Sequence, residues 1–157
     1  MTAKTNNPTE KLADRELVIT RVFDAPRSLV FKAWTEPERI KQWWGPRGFT
    51  TLSCEIDRRP GGAWRVRSQS PEGREYVAQG VFREIVEPER IVFTYAWVEA
   101  EGKPGHETLV KVTFVEQSGK TLLTFRQGVF ESITSRDEHE EGWSSAFDLL
   151  VEYLAKA

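Results

Sequence analysis

The chain has 157 residues, enough for one domain with a sizeable core, and no interior linker divides it. Its 22 basic and 24 acidic residues are interspersed and leave a net charge of -2, which builds no single-sign field and argues against nucleic acid as a partner. No apolar run approaches the roughly 18 residues of a membrane span, and the lone Cys54 excludes an internal disulfide and favours a reducing, cytoplasmic compartment.

The N-terminal segment MTAKTNNPTEKLADRE has no signal-peptide apolar run, and residues 1–14 are expected to be a disordered tail ahead of a domain over 15–157. ELVITRVF then alternates and reads as a first strand until Asp24, Ala25 and Pro26 break it. Pro26 suits a helix's first turn, and Leu29, Val30 and Ala33 give a short buried face running to Trp34. Thr35 and Glu38 form a capping-box pair for a second short helix. Its apolar side is Ile40 with Trp43 or Trp44, and Gly45-Pro46 stop it. These two helices read as a hinge between the first strand and the rest.

From Phe49 to Gln127 the period changes from helical to two. Leu52, Cys54 and Ile56 alternate with polar neighbours, and after Pro60-Gly61-Gly62 so do Trp64, Val66 and Ser68. Cys54 in that pattern reads as a core residue and not as a reactive thiol. Tyr76, Ala78, Gly80 and Phe82 share one face of a long strand whose phase shifts near Glu84, the mark of a bulge. Ile91, Phe93, Tyr95 and Trp97 share a face of the next strand. Val110, Val112 and Phe114, then Leu123 and Phe125, continue the dry side. Six such strands joined by short turns predict an antiparallel meander with one wet and one dry face.

The chain closes on SRDEHEEGWSSAFDLLVEYLAKA. Counting from Trp143, apolar residues recur at Ala146, Phe147, Leu150 and Leu154, a stripe on one face of a long helix. Ser135 with Glu138 suggests a capping box at its start, acidic residues load the first turns, and Lys156 sits at the end. A one-faced sheet and a one-striped helix bury each other, so the expected fold is α+β: a curved antiparallel sheet of seven strands wrapped on the last helix. Such a grip closes imperfectly and predicts a cavity of a few hundred Å³ between sheet and helix. Its expected lining is Trp64, Val66, Phe82, Phe93, Tyr95, Val112, Phe114 and Phe125, facing Trp143, Phe147 and Leu150.

The FDAP strand end, VFKAWTEPERIKQWWGP, RIVFTYAW, the TLVKVTF and TLLTF pair, and the Arg136, His139, Gly142, Trp143 pattern resemble, in that order, the activator of Hsp90 ATPase homologue 1-like proteins. That family belongs to the START-like, or SRPBCC, superfamily with the helix-grip (Bet v 1-like) fold, and the resemblance spans about residues 16–155. It implies a hydrophobic cavity used for lipid, hormone or polyketide binding and occasionally for catalysis. The eukaryotic co-chaperone's separate N-terminal domain has no room in this chain, so an interaction with Hsp90 is doubtful. The superfamily's iron-sulfur members supply no ligand set here, because one cysteine and two histidines do not make one.

No cofactor and no metal are expected, since His106 and His139 are far apart in sequence and no cluster has metal-ligand spacing. His139, near a helix start, could serve as a base at the cavity mouth, although a packing or orienting role is the more ordinary one. Glu55, Arg65, Glu75 and Arg126 face out by alternation, as a solvated ladder. Tyr76 and Tyr95 put hydroxyls on the apolar face and are the expected polar anchors for a ligand. No catalytic residue is assigned. The favoured reading is non-catalytic binding of a small hydrophobic or amphipathic molecule. The alternatives are a cyclase or hydrolase using His139 or Tyr95, and a stress-response or chaperone-associated module with an exposed patch at Trp43, Trp44 and Phe49. A homodimer is left open.

Overall fold

A computed structural model describes residues 11–157. The expected disordered tail falls mostly outside them; at its C-terminal end Leu12–Arg15 form a 3-10 turn, joined to the body where the Phe130 amide donates to the Arg15 carbonyl. The chain then runs through β1 (Leu17–Phe23), α1 (Arg27–Thr35), α2 (Pro37–Ile40), β2 (Thr50–Ile56), β3 (Ala63–Gln69), β4 (Glu75–Val86), β5 (Arg90–Trp97), β6 (Thr108–Gln117), β7 (Lys120–Gly128) and α3 (Ile133–Lys156).

All seven strands form one antiparallel sheet in the order β1-β7-β6-β5-β4-β3-β2. The six later strands are the expected meander, and the first strand returns to pair with the last, Leu17 opposite Gln127 and Phe23 opposite Thr121. The phase shift near Glu84 is a register break in the β4–β5 ladder between Phe82 and Glu84. Central β5 departs from the one-dry-face pattern, because Val92, Thr94 and Ala96 are buried as well as Ile91, Phe93 and Tyr95.

The concave face packs on the α3 stripe of Trp143, Ala146, Phe147, Leu150 and Leu154, all of them buried. That stripe is the expected one, but the helix begins a turn earlier than the Ser135 capping box implies. Ser132 is the N-cap, its hydroxyl accepting from the Ser135 amide at 3.0 Å. Thr35 likewise does not cap α2. Its hydroxyl donates back to the Phe31 carbonyl at 3.0 Å, the bond of a threonine ending a helix, and Glu36 takes the cap position.

The short helices do more than link. Phe31 is buried in α1 while Leu29 is only partly so, which turns Val30, Phe31 and Trp34 inward as one face. Trp34 stacks on Trp143 (5.9 Å between centroids, 20° between planes) and also meets Phe114, Phe125 and Phe147. Trp43, 1% exposed, donates its indole N–H to the Ala33 carbonyl at 2.9 Å and leans on Trp34 at 4.8 Å. This aromatic wedge fills one half of the space between sheet and helix. The other half stays open.

Candidate ligand site

The open half is a cavity of about 890 Å³ between the ends of β3, β4 and β5, the first turns of α3 and the loop after α2. Register builds its floor. Ser68 of β3 lies opposite Tyr76 of β4, and Ala78 lies opposite Trp97 of β5, so Ser68, Tyr76, Tyr95 and Trp97 stand on the concave face at one end of the sheet. Trp44, Pro46 and Phe49 form one wall from the loop, and Glu138, His139, Gly142, Trp143 and Ala146 form the other from α3.

The lining is aromatic and interlocked. Tyr95 is stacked with Trp44 at 6.4 Å, meets Trp97 edge-on at 5.6 Å and Trp143 at 6.0 Å, while Tyr76 touches Phe49 at 5.7 Å and Trp97 at 6.2 Å. Polar groups within it are fixed in sequence. Trp97 donates its indole N–H to His139 Nε2 at 2.9 Å, and since indole is only a donor, Nε2 must be the bare nitrogen. His139 Nδ1 therefore carries the proton and gives it to the Ser135 carbonyl at 2.7 Å. Both ring nitrogens are occupied and the imidazole is neutral.

Beneath the cavity runs a second polar chain. Trp143 Nε1 donates to Gln127 Oε1 at 2.8 Å, Gln127 Nε2 donates to Thr108 Oγ1 at 2.9 Å, and the Thr108 hydroxyl donates to the Tyr95 carbonyl at 3.3 Å. Gln127 is wholly buried, so this chain fixes α3 to β7, β6 and β5 at the depth where the filled half ends. Two hydroxyls are left over. Ser68 and Tyr95, each 4% exposed, line the cavity without a hydrogen-bond partner among the described residues. Burial pushes the Tyr95 phenol far above its ordinary value, which keeps it protonated as a donor.

Of the residues expected from the sequence to line a ligand site, the cavity gathers Tyr95 and Trp143. Phe114, Phe125 and Phe147 sit in the filled half, packed with Trp34, and Leu150 and Val112 are buried in the same core cluster. Phe82 packs on Phe93, and Phe93 packs on Trp64. Val66 and Trp64 lie on the same core face, and the Trp64 indole donates to the Thr94 carbonyl at 3.0 Å across Gly80. Only glycine fits there, because a Cβ would lie 1.8 Å from that carbonyl oxygen. Sequence reasoning left Ser68, Trp97 and Gly142 out of the site. Tyr76 it had singled out as an anchor, and Trp44 and Phe49 as an outward patch. Trp43 is in the core and the other two turn toward the cavity, so the patch does not form as expected.

Other expectations resolve simply. Cys54 packs half-buried against the core, and burial pushes its thiol up to about 11, so it is not a reactive thiolate at neutral pH. Glu55, Arg65, Glu75 and Arg126 are exposed, with Glu75 paired to Arg67 at 3.3 Å and Arg126 to Glu16 at 3.4 Å. His106 bonds the Val129 carbonyl at 2.7 Å. Among the described residues no group of three His, Cys, Asp or Glu side chains is placed to hold a metal, and no helix is long and apolar enough to cross a membrane.

A curved seven-stranded sheet gripping one long helix, with two short helices after the first strand, is the helix-grip fold of START-like proteins. The family model for activator of Hsp90 ATPase homolog 1-like protein matches residues 24–155, and the chain belongs to that family. The chain is similar to a solved protein of Nitrosomonas europaea, at 27% identity and a TM-score of 0.78, over 92% of this chain and 96% of that one. It is also similar to the AHSA1 protein of Silicibacter pomeroyi, at 26% identity and a TM-score of 0.82, over 89% and 97%. A solution structure from Arthrobacter aurescens shares the fold with a TM-score of 0.83 at 22% identity, over 94% of this chain and 90% of that one. No curated protein matches the chain.

Proposed function

We propose that the protein binds a small hydrophobic or amphipathic molecule, without chemical transformation, in the aromatic cavity between the sheet and the first half of α3. The observation that carries this reading is the pair of unpartnered, 4% exposed hydroxyls of Ser68 and Tyr95 in a cavity of about 890 Å³ walled by Trp44, Tyr76, Trp97 and Trp143. Apolar walls with a few placed polar groups are what a small-molecule site needs, and those hydroxyls open onto the cavity, where a bound molecule can bond them. The family's fold, which commonly houses hydrophobic ligands, supports the same reading.

A catalytic use of the cavity finds less support. His139 would need a free nitrogen to act as a base, and Trp97 and the Ser135 carbonyl hold both. Tyr95 would need a lowered phenol pKa to act as a base at neutral pH, and burial moves it the other way. A chaperone-associated or stress-related role stands on family likeness alone. The exposed Val18, Val22 and Val115 would supply the apolar surface of a homodimer, which light scattering would register as a doubled mass. The cytoplasm remains the compartment we infer, from the single free cysteine.

Native mass spectrometry of protein purified from its own cells tests the reading first, and retention of one small molecule per chain is expected. Titration with the neutral fluorophore N-phenyl-1-naphthylamine should then saturate at one site. Trp44→Ala should weaken that binding about tenfold or more. Because Trp44 is partly buried against Trp43, Trp64, Tyr95 and Trp143, the variant should also lose about 2–3 kcal/mol of stability, so binding is compared where it is still fully folded. A fluorophore that never saturates, together with no retained molecule, would defeat the proposal.

A further inference from the structure

The walls and rim of the cavity differ in chemistry. The walls are built of aromatic rings, those of Trp44, Tyr76, Tyr95, Trp97 and Trp143, and an aromatic ring carries the negative part of its quadrupole over its face. Carboxylates join the lining: Glu75 from β4, Glu99 just past β5, and Glu138 from the first turns of α3. Glu75 is paired with Arg67, whereas among the described residues no cation pairs with Glu99 or Glu138. His139 adds no positive charge, because accepting from the Trp97 indole requires a bare Nε2. Among the described residues the one lining cation is Arg74, and its guanidinium lies over the Tyr76 ring, 5.3 Å from the centroid. The protein's own cation has thus settled on one of these faces.

We propose that the ligand, on the reading of this cavity as a small-molecule site, is an organic cation: an ammonium or delocalised aromatic cation carried on an apolar body. The aromatic faces attract such a charge without the dehydration a carboxylate would demand of a compact ion, and the attraction grows as water is excluded. Glu99 and Glu138 add a favourable potential at the entrance and repel anions of the same apolar shape. The Tyr95 and Ser68 hydroxyls serve the uncharged part of the molecule, so charge recognition and polar anchoring fall to different residues. Among the described residues Arg74 is the one charged lining group that would favour an anion, which makes the sign of the preferred ligand a measurable property of the site.

Isothermal titration of the full chain with three probes of matched length, each below its micelle concentration, decides the matter: decyltrimethylammonium, 1-decanol and decanoate. The expected order is the cation roughly tenfold tighter than the alcohol, with decanoate weakest. In Glu99→Gln/Glu138→Gln, two exposed positions whose change does not threaten folding, the preference for cation over alcohol should shrink at least threefold. Alcohol binding as tight as cation binding would overturn the cation inference and leave the small-molecule reading standing. Decanoate binding tightest would also overturn it, and would assign control to Arg74. Saturable binding of none of the three would remove both.

Discussion

The two halves of the interface between sheet and helix are built from the same residue classes and end in opposite states. In the filled half, Trp34 from α1 stacks on Trp143 and meets Phe114, Phe125 and Phe147, leaving no room for another molecule. In the open half, Trp44, Tyr76 and Trp97 are only half-buried, and their rings surround space. What separates the halves is a third element. A sheet and one helix leave two gaps, α1 plugs the first with Trp34, and the loop after α2 roofs the second without entering it. Apolar content alone therefore does not mark a binding site; the reach of the neighbouring short helix does.

This comparison can be broken at the filled end first. Phe147→Ala should lower unfolding free energy by about 3–5 kcal/mol, because a wholly buried ring is removed from a packed cluster. Chemical denaturation measures it, and a loss below about 1 kcal/mol would mean that the cluster is loose and the two halves are not different. The boundary between halves is the next target. Gln127→Leu leaves the Trp143 indole and the Thr108 hydroxyl without their partner, at a cost of about 1–3 kcal/mol. Because Trp143 also lines the cavity, the same variant should weaken N-phenyl-1-naphthylamine binding, which Phe147→Ala should not do selectively.

The smallest effect concerns the roof. Arg47 carries its backbone amide to Ser145 Oγ at 2.9 Å and its guanidinium to the Glu152 carboxylate, tying the loop to α3. The hydrogen bond from Arg47 holds the Glu152 carboxyl below its ordinary value. A depressed carboxyl pKa adds stability that is complete above the unfolded value and is lost as pH falls through the folded one. The tie should thus be constant through the neutral range and loosen only in acid. Both partners are exposed, so Glu152→Gln should change the acid limb of a stability profile slightly and leave stability at neutral pH essentially unchanged.

Much of this architecture is legible in the sequence because it rests on local periodicity. Alternation places Trp64, Val66, Phe82, Phe93, Tyr95, Val112, Phe114 and Phe125 on one face, and the spacing from Trp143 to Leu154 places the α3 stripe against it. Periodicity names a face but not the stretch of that face which a distant element covers. That Phe114 and Phe125 are plugged while Tyr76 and Trp97 are not depends on Trp34, some eighty residues before Phe114, and nothing local encodes the contact. Caps fail for a related reason. Ser132 and Ser135 both suit a helix start, and Thr35 can bond forward or back, so the choice falls to the surrounding packing. Gly142 enters the sequence reading only through the Arg136, His139, Gly142, Trp143 pattern, and nothing local shows the cavity in front of it.

Gly142 also provides the most direct test that the open half is a binding site. A Cβ built there meets no heavy atom within 4 Å, and the residue lines the cavity, so a larger side chain would project into empty space. Gly142→Leu replaces a poor helix former with a good one and should raise stability by about 0.5–1 kcal/mol. N-phenyl-1-naphthylamine titration of that variant should show affinity lost by tenfold or more in a protein at least as stable as the parent. Unchanged affinity in the well-folded variant would contradict the account, since it would place the bound molecule somewhere other than this cavity.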